Sequence, residues 1–221
     1  MIAALLLAAA AASSSPASGM TAVDAEHAFI RDAQKKGQWT AFRKWADRDS
    51  VMFTPQAVWV HQFLKDRKDP PKAVRWAPAQ SFVSCDGRTA VNTGPWWGAD
   101  GVHHGYFTTV WQRAKPGWRW VYDGGAVTTD GSPAPVTVPL RVQAASCRGK
   151  ASGAPIKAPR ALTPKQSTVT PEDSGRGESA DKTLGWDWKV DKNGGRTLRV
   201  FQWKGSHYAQ VLTNNVPPET R

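Results

Sequence analysis

The sequence predicts an α+β fold: three N-terminal helical segments packed against one curved antiparallel sheet, with a short three-stranded β-meander added near the C-terminal end. Three observations carry this. In the first third of the chain apolar residues recur at three- and four-residue steps, the period of a helix face. From residue 73 onward the pattern changes to extended runs broken by Asp-Gly and Gly-rich turns. The 12 tryptophans among 221 residues favour aromatic-rich sheets over a helical bundle. A hydrophobic content of 40% is enough for a packed core.

Residues 1–20 read as a secretory signal peptide. An Ala/Leu-rich apolar run over residues 2–12 leads into Ser13-Ser14-Ser15-Pro16, and the small residues Ala10 and Ala12 suit a signal-peptidase site. No Lys or Arg precedes the run, and it is too short for a stable membrane span. No cysteine follows to carry a lipid anchor. The mature chain is therefore expected in the periplasm or outside the cell. That compartment permits disulfides, and the two cysteines, Cys85 and Cys147, are expected to pair.

Residues 21–126 form the α+β domain. Over residues 23–36, Ala25, Ala28, Phe29 and Ala33 mark one helix face; Thr21 or Asp24 caps its start and Gly37 ends it. Residues 39–45 form a second helix whose Trp39, Phe42 and Trp45 share a side and read as core. Asp47-Arg48-Asp49-Ser50 leads into a short strand over residues 51–53, stopped by Pro55. Residues 57–65 read as a third helix, with Val58, His61 and Leu64 at helical spacing, broken by Asp69-Pro70-Pro71. Residues 73–84 are extended, Asp86-Gly87 is a hairpin turn, and residues 88–97 are the partner strand. After the Gly98-Ala99-Asp100-Gly101 turn come a long strand over residues 102–113 and a last one over residues 118–123.

This order, with the phrases AEHAFIRDAQKKGQWTAFRKW, RDSVMFTP, Ser84-Cys85-Asp86-Gly87 and GYFTTVWQRAKPGWRWVYDGG, resembles the cone fold of the nuclear-transport-factor-like superfamily. That superfamily includes ketosteroid isomerase and the SnoaL-like cyclases. The last phrase is the most specific, since it is similar to the closing hairpin of small members of the group. The resemblance covers residues 22–126. It implies a cone-shaped sheet with a pocket between its concave face and the helices. It implies no single activity, because this fold hosts enzymes, binding modules and assembly domains alike.

Residues 127–180 are rich in Pro, Ala and Ser and read as a basic loop or linker; over residues 127–170 Arg141, Arg148, Lys150, Lys157, Arg160 and Lys165 face one acid, Asp130. A short strand is expected over residues 136–142. Residues 181–215 form the β-meander: Leu184, Trp186, Trp188 and Val190 alternate with Gly185, Asp187 and Lys189, and turns follow at Asn193-Gly194-Gly195 and Lys204-Gly205. Strands this short rarely stand alone, so they are expected to pack on the main sheet or extend it. Residues 216–221 are a polar tail. The net charge of +11 reads as a basic solvated surface; with no nucleic-acid motif in the chain, no nucleic-acid partner is expected. Neither CxxC nor HExxH occurs, so no metal and no cofactor is expected.

For chemistry, His103, His104 and Asp123 are the candidate acid–base residues, since imidazole titrates near neutral pH and a carboxylate can orient it. Asp47 and Asp49 precede the first strand, where enzymes of the resembled superfamily carry polar pocket residues. The expected pocket wall consists of His61, Trp96, Trp97, Tyr106, Phe107, Trp111, Trp118, Trp120 and Tyr122. Alternation places Trp118, Trp120 and Tyr122 on one face of the last strand and Asp123 on the other. Dense aromatics and scarce paired carboxylates point to binding of a small apolar or aromatic molecule without catalysis. The alternatives are an isomerase, hydratase or cyclase using a histidine–carboxylate pair, and a dimeric interaction or scaffolding protein pairing through its sheet.

Overall fold

The computed structural model describes residues 19–115, 117–128, 137–152 and 174–218. The expected signal peptide and much of the linker lie outside the described residues. The first helix, α1 (Ala22–Lys36), begins with a capping box in which Thr21 and Asp24 exchange side-chain and backbone hydrogen bonds. It ends at Gly37, whose φ of 105° turns the chain directly into α2 (Gln38–Trp45). The Asp69 carboxylate packs under that glycine and accepts from the Thr40 amide at 3.0 Å and its hydroxyl at 2.6 Å. A side chain at position 37 would displace that anchor as well as strain the backbone.

The chain then forms β1 (Ala46–Phe53), β2 (Ala57–Trp59), the single turn α3 (Val60–Phe63), β3 (Arg75–Trp76), β4 (Gln80–Val83), β5 (Thr89–Trp97), β6 (His104–Ala114), β7 (Gly117–Val127) and β8 (Arg141–Ala144). These strands make an eight-stranded sheet in the order β2-β1-β7-β6-β5-β4-β8, with β3 pairing onto β5. The expected α+β cone architecture is present, with three corrections. The sheet is mixed: β1 runs parallel to β7, and β8 runs parallel to β4. Most of the helix expected over residues 57–65 is absent, because Ala57, Val58 and Trp59 are consecutively buried, which suits a strand pairing on β1. The strand expected over residues 136–142 begins only at Arg141.

A second, four-stranded sheet follows, built from β9 (Ser174–Glu178), β10 (Leu184–Val190), β11 (Arg196–Trp203) and β12 (Tyr208–Val216), in the order β12-β11-β10-β9. The expected meander had three strands; β9 falls inside the expected linker. Its Gly175 and Gly177 lie against the rings of Trp188 and Trp186, so what resembles linker composition is the surface on which two indoles rest.

The main sheet is buried on both faces. On one, α1 and α2 cover Phe107, Trp111, Trp118 and Trp120. On the other, Leu184, Trp186, Leu198 and Val200 of the second sheet pack on Phe82, Val91, Val110 and Tyr122. The second sheet thus packs on the main one, the first of the two expected arrangements. Polar contacts fix the docking. Thr183 accepts from the Cys85 amide at 2.8 Å, Gln202 donates to the Gln143 carbonyl at 2.8 Å, and Asn214 donates to the Thr108 hydroxyl at 2.6 Å.

Cys85 and Cys147 form a disulfide with Cα atoms 5.2 Å apart, joining the β4–β5 turn to the segment after β8. The bridge closes a loop of 62 residues that includes all of β5, β6 and β7. Replacing both cysteines with alanine is expected to cost about 4 kcal/mol of stability, read as a lower urea midpoint with a steeper slope, since the unbridged denatured chain exposes more surface. An unchanged midpoint would show that the covering sheet alone holds this edge.

Candidate functional site

The interior under the helices is organised around Glu26, which the sequence reading did not single out. It lies on the same helical stripe as Ala22, Ala25, Phe29 and Ala33, and like them it is fully buried. Its carboxylate accepts from the Trp76 indole N–H at 2.8 Å, the Trp111 indole N–H at 2.6 Å and the Asn92 amide at 3.2 Å. Burial pushes its pKa up to about 7 against the opposing pull of those donors. The signal that could have found it is a glutamate inside an apolar stripe.

A second carboxylate lies below it. Asn92, Thr109 and Asp123 are register partners across β5, β6 and β7, and Met52 of β1 continues the row. Asp123 accepts from the Thr109 hydroxyl at 2.9 Å. The residue keeps some exposed surface, yet its carboxyl is enclosed, and desolvation raises its pKa to about 7, with the charge of Glu26 adding to the rise. Asp123 reaches this face because Val110 pairs with Tyr122 while Trp111 pairs with Trp120, which leaves Val121 as an extra residue. That bulge reverses the alternation. Trp118 and Trp120 join the helix-side core, while Tyr122 turns to the opposite core beside Phe53, ring centroids 5.6 Å apart. The expectation that Tyr122 shares a face with Trp118 and Trp120 is corrected accordingly.

The expected pocket wall is mostly packed core. Trp111 and Trp120 have no exposed surface, and Trp118, Phe107 and Tyr122 keep at most 7%. Phe29 fills the space between the helices and the sheet, with its ring 4.8 Å from Phe42 and 4.9 Å from Trp76 in edge contacts. Trp97 is buried, and Trp96 donates to the Ala126 carbonyl at 3.1 Å. Tyr106 lies on the face toward the second sheet, its hydroxyl 3.4 Å from the Asn215 carbonyl.

The histidines do not join the carboxylates. His103 sits on the exposed Asp100 turn and pairs with Asp100. His104 follows the parity of Tyr106 and Thr108, on the face away from Asp123, with Nδ1 3.1 Å from the Val102 carbonyl. His61 is exposed, its ring 3.1 Å from the Asp47 carbonyl. The expected pairing of His103 or His104 with Asp123 is therefore not made: the face alternation of β6 and five residues of strand separate them.

Among the described residues, two surface clefts bear on the site. One of about 270 Å³ lies among Arg48, Asp49, Trp59 and His61. A larger one, of about 490 Å³, lies where the end of α1, the Pro70–Ala73 segment, Arg75 and the Gly98–Gly101 turn converge. Among the described residues no cluster of His, Cys, Asp and Glu is arranged to hold a metal ion.

No protein-family model and no curated protein matches this chain. Among solved structures, a protein of the DUF3225 family from Pectobacterium atrosepticum is similar at 16% identity over 48% of this chain and 89% of its own, with a TM-score of 0.38. A provisionally named ketosteroid isomerase from Parabacteroides distasonis matches at 15% identity over 48% and 88%, TM-score 0.39. An NTF2-like protein of unknown function from Shewanella oneidensis matches at 12% over 48% and 98%, TM-score 0.37. Identities and scores this low assign no activity here, and the reading of the fold rests on the strand order and register above.

Glu26 generates a stability prediction with a definite sign. A carboxyl whose pKa is raised in the folded state binds its proton more tightly there. Its contribution is complete below the unfolded value of 4.5 and is lost as pH rises through about 7. The urea midpoint of the native sequence is expected to fall between pH 5 and pH 8, and Glu26→Gln to flatten that fall. Glu26→Ala, which strands two buried indole N–H groups, is expected to cost about 3 kcal/mol at pH 5. Equal pH slopes in the native and Gln proteins would contradict the assignment.

Proposed function

We propose that this chain is an exported cone-fold protein that binds a small, partly apolar molecule and performs no reaction on it. The observation that carries the reading is the separation of chemistry from open space. The two buried carboxylates are engaged by Trp76, Trp111, Asn92 and Thr109 within packed core, while the 490 Å³ cleft at the rim is open and free of acid–base pairs. Part of that cleft's lining is apolar: buried Ala33, with Pro70, Pro71 and Ala73. A ligand seated there gains by covering these surfaces. The aromatic interior, in this reading, is the rigid support of the cleft and not its lining. Export is supported by the N-terminal apolar run and by the Cys85–Cys147 disulfide, which suits an oxidising compartment.

Thermal-shift and native mass spectrometry screens against aromatic, steroid and polyketide compounds test this reading. A binder is expected to raise the melting temperature, by an amount equivalent to about 2.7 kcal/mol at a hundredfold excess over Kd, and to leave the compound chemically unchanged. Amide shifts on binding should centre on residues 33–37, 70–75 and 98–101. Failure of every compound, or turnover of a bound one, would overturn it.

A further inference from the structure

We infer that the rim cleft takes a small organic anion, with its carboxylate or phosphate held by Lys35, Lys72 and Arg75 and its carbon body against Ala33 and the prolines. This rests on the reading of the cleft as the ligand site and names the chemistry of what enters it.

The argument is one of uncompensated charge in a concave place. The cleft is lined by Lys35, Lys72 and Arg75 and by no carboxylate side chain. All three cations are exposed, and none of their side chains has a hydrogen bond or ion pair among the described residues. The carboxylates on neighbouring elements are committed elsewhere. Asp32 binds Lys36 and Lys44, and Asp69 binds the amide and hydroxyl of Thr40. Asp100 turns into its own loop, where it binds His103 and the Val102 amide. Like charges gathered around one cleft repel each other, and a bound anion relieves that repulsion. An arginine with two lysines offers a planar fork and two mobile point charges, a combination suited to carboxylate or phosphate oxygens. Gln34, whose amide donates to the Val74 carbonyl at 2.7 Å, ties α1 to the segment between Lys72 and Arg75.

The test titrates the full mature chain with phenyl phosphate, benzoate and neutral benzyl alcohol, reading amide chemical shifts and affinity at low and moderate salt. Both anions are expected to shift the amides of residues 33–37, 70–75 and 98–101, and to weaken as salt rises. Benzyl alcohol should bind at least about tenfold more weakly. Lys72→Gln with Arg75→Gln should reduce phenyl phosphate affinity roughly tenfold or more while near-ultraviolet circular dichroism stays unchanged. If benzyl alcohol binds in the cleft as well as the anions do, or the double variant keeps its affinity, the anion assignment falls and the cleft reading stands. If no probe shifts these amides, or the shifts spread over the whole basic surface, both fall together.

Discussion

A carboxylate at the centre of an aromatic core is tolerated only if donors surround it, and Glu26 imposes that demand on the helical layer. Its donors come from three strands: Trp76 on β3, Asn92 on β5 and Trp111 on β6. Meeting all of them at once fixes the height, rotation and register of α1 over the sheet. Burial still outweighs the donors, so the group titrates near neutrality, not in the ordinary carboxylate range. The rings of Phe29, Phe42 and Trp120 then pack around the fixed helix. The space between the helices and the sheet is filled by the chain's own side chains.

The sheet's second constraint is the extra residue at Val121. Without it, Asp123 would face the second sheet and Tyr122 would crowd the helices. With it, the carboxylate joins Thr109 beneath Glu26, and the phenol ring enters the opposite core with Phe53, which in turn meets Trp188. One bulge thus sorts polar from apolar groups on both faces of the same strand. It also brings two carboxyls of similar, raised pKa into one interior, where each disfavours ionisation of the other.

The second sheet alters what the main one can offer. Leu184, Trp186, Leu198 and Val200 are laid over Val91 and Val110, so this apolar face of the main sheet is buried within the chain itself. The Arg199–Asp187 ion pair bridges neighbouring strands of that covering sheet, and the Cys85–Cys147 bridge pins the edge where β4 and β8 meet. With interior and outer face both occupied, open concave space is found at the rim, where Lys35, Lys72 and Arg75 line one cleft.

The local patterns were legible in the sequence. The stripe Ala25, Phe29 and Ala33, the cap at Thr21, the stop at Gly37, the Asp86-Gly87 turn and the alternation of Leu184, Trp186, Trp188 and Val190 each follow from backbone geometry within a few residues, so the sequence determined the α+β class and most element positions. The pairing of β1 parallel to β7, the strand at Ala57–Trp59 and the role of β9 were decided by tertiary structure, because each depends on a partner distant along the chain. The candidate site was less legible for the same reason. Asp123 was visible as a titratable residue at a strand end, but its direction hinges on a bulge that only the pairing with β6 reveals. Glu26 is set apart from a solvated helix residue only by the convergence of Trp76, Asn92 and Trp111 on it. Lys35, Lys72 and Arg75 are ordinary surface cations in the sequence, and only the folded chain sets them around one cleft, since electrostatics depends on distance through space and not along the chain.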